Sequence, residues 1–493
     1  MPEFAGLQTN FLTWLILAGT TAVWVLSLRL VPGWQREGWP SVLKSLLGFV
    51  WLSFGLDILL RFSMLSYNAV EWANNSPRLL SLTADTVNRS LGYCGLFWVM
   101  VAVGYRIAAR RKSAGAIGIT RMFTLDLAYA VAVPMALICS VLLYLLDGPN
   151  GIPLALVTPL ALFANLYILP AAMVWWDHMR RPGPWWRAGG ILWLTLLPAA
   201  VNGWRSPYRE NLAPIFLIPL LAALFAGRRP KLRVLVPAGL VCFLVLTTFV
   251  SAYRSIKWEN ARPEEVASEM RRGGVVDWFT GNWGERLARF HSFDSILLTV
   301  HLVPAARPYS GRSVLVAPFV RGFVPRLING DKGAADAGEK FGVEIWAYDD
   351  PSARDHGGAA IAPSMPGDLY ESGGAVDVAL GALLWGGLIG LVDGWKKYLP
   401  GYCAAAITAL VATHCAMSVE RDFDHSVAAF IQTFLVVIVV GGVVALARRR
   451  KDEFAAEFDG GAAGGFGRDL VGEAVRESAG NSASNFNPTL ERS

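Results

Sequence analysis

Long apolar stretches alternate with short polar segments along this chain, from near its first residue to about position 447. Most of these stretches are long enough to cross a hydrocarbon core, which takes about 20 residues of helix. The pattern therefore predicts an all-α polytopic membrane protein with about eleven transmembrane helices. The predicted spans are 10–30, 41–62, 91–108, 124–146, 152–175, 186–201, 212–226, 233–251, 373–392, 399–417 and 427–447.

The sixth and seventh spans, 186–201 and 212–226, are the shortest of the series. Two readings of them stay open. They are either tilted helices that cross fully, or two halves of a broken pair around the polar segment 202–211.

A long polar segment, 253–372, separates the eighth and ninth spans. It contains an amphipathic stretch, 285–303, which we expect to form a helix lying on the membrane interface or dipping into it. The chain is thus predicted to have four parts: helices 1–8 in residues 1–252, an extracytoplasmic loop in 253–372, helices 9–11 in 373–451, and a flexible cytoplasmic tail in 452–493.

Composition supports this reading, since 54% of the residues are hydrophobic and only 17% are charged. These values exclude a soluble globular enzyme, a fibrous chain and a disordered chain. The net charge of +6 does not indicate nucleic-acid binding, because Lys and Arg gather in the cytoplasmic loops of membrane proteins.

The basic run 448–451 after the last span places the C-terminus in the cytoplasm and, by alternation, the N-terminus and the 253–372 loop outside. The five cysteines all lie in apolar stretches and read as small core residues.

The segment 202–211 is the first candidate for a functional site, because it places Arg205 and Arg209 at the outer face against the usual charge bias. The guanidinium of arginine matches phosphate oxygens and keeps its charge near lipid. The alternative is that both arginines only anchor the helices at the lipid headgroups.

The middle of the 253–372 loop is locally basic, although acids slightly outnumber Lys and Arg over the loop as a whole. The cations are Arg286, Arg289, Arg307, Arg312, Arg321 and Arg326, with Arg254 and Lys257 near the eighth span. Such a cluster could hold an anionic ligand at the membrane surface. Alternatively, acids elsewhere in the loop pair with these arginines.

The turn before the ninth span, 363–374, is framed by Pro and Gly and holds Asp368, Tyr370 and Glu371. Either carboxylate could act as a general base if it lay near a hydroxyl group. The alternative is that both only cap the following helix. His291 and His356 in the loop are weaker candidates for a base. Close acidic pairs such as Asp422 and Asp424 have no convincing third ligand, so the sequence does not predict a metal site.

Several short motifs occur in a fixed order around the long loop: 308–311 (PYSG), 323–328 (FVPRLI), 331–333 (DKG), 366–370 (PGDLY), and then a glycine-rich span. This order resembles the Wzy-type O-antigen and exopolysaccharide repeat-unit polymerases over about residues 190–392. The chain departs from the family pattern at Asp368, where Glu is usual, at Gly333, where Pro is usual, and at 371–372.

The resemblance implies a GT-C-like integral-membrane glycosyltransferase of the bacterial inner membrane, related in fold to the O-antigen ligases. It implies oligosaccharides on undecaprenyl pyrophosphate as substrates, a membrane-lipid environment, a chain-length regulator and a flippase as candidate partners, and no nucleic acid, cofactor or metal. Fixed cations would stabilise the charge that builds on the pyrophosphate leaving group. The expected catalytic residues are Asp368, Glu371, His291 and Arg326. The expected pyrophosphate-binding residues are Arg205, Arg209, Arg254, Arg289 and Lys332, and the expected sugar-binding residues are Tyr370, Trp346 and Tyr348.

Three alternatives to a polymerase remain at this point. An O-antigen-ligase-type enzyme would use the same donor but transfer the glycan once. A polyprenyl-monophosphate glycosyltransferase would usually carry an acidic pair in its first outer loop, and 63–90 has no close pair. A transporter of lipid-linked glycan would line its path with charges inside the spans, such as Asp57, Arg61, Asp126 and Asp377.

Overall fold

The protein is described from a computed structural model. The description covers residues 7–67, 79, 81–110, 123–145, 160, 162–205, 209–228, 230, 231, 233, 237, 239, 268, 292–323, 341, 344, 345 and 363–462. At 185, 204, 205, 209, 210, 321–323, 444, 445, 447–449 and 451–462 it extends to the backbone alone.

Within these residues every regular element is helical, as the apolar pattern predicted. The first ten α-helices are α1 (Phe11–Leu26), α2 (Trp34–Glu37), α3 (Trp39–Lys44), α4 (Leu46–Phe54), α5 (Arg61–Tyr67), α6 (Ala84–Ala109), α7 (Leu125–Leu145), α8 (Ile168–Arg180), α9 (Trp185–Arg205) and α10 (Arg209–Leu212). They are followed by α11 (Pro214–Phe225), α12 (Ser292–Leu302), α13 (Ala317–Phe323), α14 (Met365–Gly373), α15 (Ala375–Lys396), α16 (Gly401–Ala416) and α17 (Phe423–Ala462).

Among the described residues, 6 helical stretches are long and apolar enough to cross a membrane. They are Phe11–Leu30, Leu46–Tyr67, Ala84–Ala109, Leu125–Leu145, Ala375–Lys396 and Phe423–Val443. The chain is therefore a helical membrane protein. Of the other predicted spans, 186–201 lies within the 21-residue helix α9, and the shorter helices α8, α11 and α16 occupy parts of 152–175, 212–226 and 399–417. The span 233–251 lies mostly outside the described residues. A total of eleven crossings stays a prediction.

The chain divides into two compact units, Met1–Ile438 and Val439–Ser493. In the second unit helix α17 continues to Ala462, beyond residue 447, the predicted end of the last span. The residues from 452 onward include several Ala and Glu, which are strong helix formers, so the predicted flexible tail is helical over its first turns. Residues 463–493 lie outside the described part of the chain.

Helices α6 and α15 form the closest helix pair of the first unit. They run parallel, since a Cβ added at Gly386 would lie 2.1 Å from the carbonyl oxygen of Val101, and one at Gly390 would lie 2.7 Å from that of Tyr105. Without side chains at these positions the two backbones approach closely, as small residues allow in membrane helices. The glycine-rich character of the ninth span thus serves helix packing.

The parallel arrangement gives the helices of the first unit two chemically different ends. We call one the Arg106 end, where Arg106 lies in the last turn of α6 and Lys397 follows the end of α15. The other is the Asp368 end, where the Asn10 cap of α1 accepts a hydrogen bond from Asn88 near the start of α6. The turn predicted as a candidate site lies at the Asp368 end.

The amphipathic stretch of the long loop is not the interfacial helix that the sequence predicted. Helix α12 is buried along almost its whole length and packs against α6 and α14. Its Asp294 carboxylate receives two hydrogen bonds, 2.9 and 2.5 Å long, from the fully buried guanidinium of Arg61. Its polar residues therefore face protein partners, which explains why its apolar pattern is interrupted.

Four of the cysteines, Cys94, Cys139, Cys403 and Cys415, are buried and unpaired. This confirms their interpretation as core residues, while Cys242 lies outside the described residues.

Candidate active site

The turn before α15 is a short helix, α14, held at both ends by special backbone conformations. Ser364 has a positive φ of 59° and its hydroxyl accepts a hydrogen bond from the Gly367 amide. Gly374 has a φ of 71° and separates α14 from α15. Such conformations favour Gly and are uncommon for other residues. Asp368 lies in the first turn of α14, and the N-cap of α15 is Gly374 with no side-chain cap hydrogen bond, so Asp368 does not cap α15 as the alternative reading proposed.

Asp368 instead pairs with Arg312, which comes from the segment before α13. The Arg312 guanidinium lies 2.8 Å from Asp368 Oδ1 and 3.3 Å from Asp424 Oδ2. The second oxygen of Asp368 accepts a hydrogen bond of 2.8 Å from the Phe423 amide. Asp422 also acts electrostatically on Arg312. We call Arg312, Asp368, Asp422 and Asp424 the Arg312 cluster.

Backbone contacts hold the Arg312 segment against α14. The amides of Ser310 and Gly311 donate to the carbonyl oxygens of Glu371 and Ser372, at 2.9 and 3.0 Å. The Ser372 hydroxyl donates to the Arg312 carbonyl oxygen at 2.6 Å. The PYSG motif is thereby fixed beside the PGDLY motif, although 54 residues of the chain lie between them. This juxtaposition explains why the guanidinium reaches both α14 and the start of α17.

The Arg312 cluster holds three carboxyl groups against one guanidinium. Burial opposes the charge of Arg312, but the Asp368 and Asp424 carboxylates outweigh it and raise the pKa of Arg312, so this side chain stays charged. Burial is the largest cause and repulsion from the Asp368 carboxylate the second, and together they raise the pKa of Asp422 to about 7. One carboxyl of the cluster thus gains and loses a proton near neutral pH.

A small cavity of mixed polar and apolar lining lies near this cluster at the Asp368 end, with Arg421, the residue before Asp422, in its wall. It has a volume of about 120 Å³, enough for several water molecules or a phosphate group. Its polar lining consists of Asn165, Asn202, Asn211, Thr413, His414, Arg421 and Thr433. Among the residues that the structure describes, this lining offers amide, hydroxyl and guanidinium donors and no carboxylate. We call this cavity the Asn202 pocket.

Two residues connect the Asn202 pocket with the Arg312 cluster. A guanidinium nitrogen of Arg421 lies 3.4 Å from His425 Nε2, and the His425 amide donates to Asp422 Oδ1 at 2.6 Å. The side chain of Asn202 donates to Asn211 at 3.0 Å, which ties the end of α9 to α10 across the polar turn. The pocket therefore adjoins the segment that carries Arg205 and Arg209.

The aromatic residues at this end differ in how accessible they are. Tyr370 is 3% exposed, its hydroxyl donates to the Val303 carbonyl oxygen at 3.3 Å, and its ring packs against Tyr93 and Tyr309. Its ring faces are covered by protein, which opposes the predicted stacking on a sugar. Tyr309 is 39% exposed and is the better placed of the two for that contact.

The structure describes only some of the predicted site residues. Asp368, Tyr370 and Glu371 share α14, while Arg205 and Arg209 are placed by backbone alone at the end of α9 and the start of α10. The remaining predicted residues lie outside the described part of the chain: His291, Arg326, Arg254, Arg289, Lys332, Trp346 and Tyr348.

Several residues of the candidate site were not predicted as members of it. Arg312 stood out only as one of several loop cations, and Asp422 and Asp424 only as an acidic pair. The signal that could have found the pair is its position directly before an apolar span, where a carboxylate needs a partner. Nothing in the sequence places Asn202 beside Arg421. Among the described residues, no three His, Cys, Asp or Glu side chains are arranged to hold a metal ion.

Comparison with known proteins adds no neighbour, since no family model matches the chain and neither curated proteins nor solved structures show a significant match.

Proposed function

We propose that the protein is an integral-membrane glycosyltransferase that joins oligosaccharide repeat units carried on undecaprenyl pyrophosphate. The observation that supports this most is the position of Asp422, a carboxyl with a pKa of about 7, next in sequence to Arg421. Arg421 belongs to a pocket whose described polar lining residues include hydrogen-bond donors and no carboxylate. A group that titrates near neutral pH suits a general base. A pocket of donors suits a phosphate leaving group. The order of motifs in the sequence supplies the substrate class.

Asp422 takes the base role in this proposal in place of Asp368. Both Asp368 oxygens already accept hydrogen bonds, from Arg312 and from the Phe423 amide, so this carboxylate positions the cluster. In the transfer step, the acceptor hydroxyl oxygen forms a bond with the anomeric carbon and its proton passes to Asp422. The bond between the anomeric carbon and the pyrophosphate oxygen breaks, and its electron pair leaves with the pyrophosphate.

Arg421 and the Asn202–Asn211 pair would hold the pyrophosphate as negative charge builds on it. Arg205 and Arg209 follow Asn202 closely in the chain and would extend this binding site. Charge-assisted hydrogen bonds to phosphate are stronger than neutral ones, and they act most strongly on the transition state, where the charge is largest.

The proposed orientation places the Asp368 end at the outer face of the bacterial inner membrane and the Arg106 end in the cytoplasm. The described cations are concentrated at the Arg106 end, in agreement with the positive-inside rule. The substrate would then reach the site from the outer leaflet.

The experiment uses the purified protein in lipid, a synthetic undecaprenyl-pyrophosphate oligosaccharide and excess EDTA, with products resolved on a gel. We expect a ladder of regularly spaced products from the wild type and from the control Arg89→Ala, whose partner Asp85 is exposed at the same end. Arg421→Ala and Asp422→Asn should lose the ladder. A single transfer to an added acceptor would indicate a ligase. Ladders of equal intensity from all variants would place the chemistry elsewhere.

A transporter of lipid-linked glycan is the second candidate, because two ion pairs are buried among the helices. They are Arg61 with Asp294 and Lys396 with Asp393. Ionisable residues inside membrane segments often mark transport paths. Movement of the labelled lipid-linked glycan across a vesicle bilayer, without any new glycosidic bond, would favour this candidate over the enzyme.

A further inference from the structure

A second and larger cavity lies at the Arg106 end, away from the candidate active site. It has a volume of about 600 Å³ and is open to solvent. Its walls come from the end of the first span, from α2, from the last turn of α6 and from Lys397. We call it the Arg29 pocket. Its lining consists of Arg29, Leu30, Val31, Pro32, Gly33, Trp34, Gln35, Arg36, Tyr105, Arg106, Ala109, Arg110 and Lys397.

The described residues of this lining carry charge of one sign only. They include the cations Arg29, Arg36, Arg106, Arg110 and Lys397 and no Asp or Glu. None of the five makes an ion pair with a carboxylate of the described residues. The acids nearest along the chain have other partners, since Glu37 pairs with Lys44 at 2.7 Å and Asp393 pairs with Lys396 at 2.6 Å.

Five like charges around one cavity repel each other, and a bound anion would remove that repulsion. Four of the five are arginines, whose planar guanidinium groups donate two parallel hydrogen bonds to phosphate oxygens. The Lys397 ammonium is held toward the wall by a hydrogen bond of 3.3 Å to the Ala109 carbonyl oxygen. We infer that the Arg29 pocket binds a phosphate-bearing anion, and that its source is the headgroup of an anionic lipid.

The position of the pocket favours a lipid over a soluble phosphate compound. It lies at the end of the apolar span Phe11–Leu30. Only 22% of the most apolar window of this span is buried inside the protein, so lipid can reach the pocket along this helix. Leu30, Val31 and Pro32 give it an apolar side. Trp34, stacked edge-on against Trp39 at 5.6 Å, is a residue typical of the headgroup region. A lipid offers both the phosphate and the apolar chains that match these two faces.

This inference does not depend on the proposed glycosyl transfer, because the pocket shares no residue with the Arg312 cluster or the Asn202 pocket. Binding here would anchor the ends of α1, α6 and α15 to the surrounding leaflet.

The test measures lipid binding by native mass spectrometry and by the melting temperature of the protein in nanodiscs. One set of nanodiscs contains phosphatidylcholine only, and a second contains phosphatidylcholine with phosphatidylglycerol. The pocket variant is Arg106→Gln with Arg110→Gln. The matched control is Arg180→Gln with Arg181→Gln, which removes two cations from the end of another helix at the same end of the unit. Equal melting temperatures in phosphatidylcholine alone show that both variants fold.

We expect phosphatidylglycerol to bind to and stabilise the wild type and the control. Loss of even one charged hydrogen bond should weaken binding to the pocket variant by about tenfold or more. A third arm adds inorganic pyrophosphate to the phosphatidylcholine nanodiscs. Stabilisation by pyrophosphate alone would show that the pocket binds phosphate, and that its ligand is a soluble phosphate compound and not a lipid headgroup. Equal lipid binding by the pocket variant and the control, or no response to either anion, would overturn the inference.

Discussion

Asp422 shows how the surroundings of one side chain set its chemistry. Its carboxyl group is 7% exposed, with a single described hydrogen bond from the His425 amide. Burial and the neighbouring Asp368 and Asp424 carboxylates hold its pKa at about 7. An exposed aspartate has a pKa of about 3.9, so the folded protein retains a proton here that the unfolded chain has already released.

This difference predicts how stability depends on pH. Between about pH 4 and pH 7 the native state binds more protons than the unfolded state at this position, so the free energy of unfolding falls as pH rises, by up to about 1.4 kcal/mol per pH unit. Asp422→Asn should flatten this part of the pH profile of the melting temperature. Asp85→Asn, at an exposed position, should leave it unchanged. A profile that Asp422→Asn does not alter would contradict the raised pKa.

Arg312 and Arg89 are both arginines in ion pairs, but their different burial predicts losses of very different size when each is removed. Arg312→Met leaves Asp368 and Asp424 buried without the guanidinium, and we expect a loss of about 3–5 kcal/mol in the free energy of unfolding. Arg89, which is 60% exposed, should lose less than about 1 kcal/mol when replaced by Met. Denaturant titration in detergent measures both variants. Equal losses would show that Arg312 is not the neutralising partner of the cluster.

At the scale of the helices, the α6–α15 pair decides where the Asp368 end and the Arg106 end lie. Its parallel packing requires glycine at the closest approach, and Gly104 shows the same requirement from the other helix, since its Cβ would lie 2.2 Å from the Leu383 carbonyl oxygen. A shift between these helices would move α14, which directly precedes α15, and with it Asp368.

Neighbouring glycines of α15 offer a matched test of this packing. Gly386→Ala places a Cβ 2.1 Å from the Val101 carbonyl oxygen, so the helices must separate, and we expect a loss of about 1–3 kcal/mol. Gly387→Ala meets no atom within 4 Å and should be neutral or stabilising by up to about 1 kcal/mol, because alanine favours helix. Melting temperatures in the same detergent compare the two. If Gly387→Ala were destabilised and Gly386→Ala were unaffected, Gly386 would not lie at the closest approach of the two helices.

At the scale of the whole first unit, the two ends should lie on opposite sides of a membrane. Ser310 is exposed at the Asp368 end and Tyr398 is 51% exposed at the Arg106 end. In intact cells an impermeant maleimide should label Ser310→Cys and leave Tyr398→Cys unlabelled until the membrane is opened. The four described native cysteines are buried and should contribute little background. Labelling of both variants from one side would contradict the proposed topology.

The sequence alone determined the class of the protein and singled out one turn of the candidate site. Apolar length and composition predict membrane helices because each helix satisfies its own backbone hydrogen bonds and must match the lipid around it. For the same local reasons the Pro- and Gly-framed turn with Asp368 was recognisable as unusual. Element boundaries were less exact, as the extension of α17 to Ala462 shows.

Only the tertiary structure decided which charges meet. Arg312 reaches Asp368 and Asp424 because α14 and the start of α17 lie side by side, and Arg61 reaches Asp294 because α12 is buried and does not lie on the membrane surface. Ion pairing between residues far apart in sequence depends on helix packing, which a hydrophobic pattern does not encode. The pKa of Asp422 has the same origin, since burial and neighbouring carboxylates exist only in the folded chain.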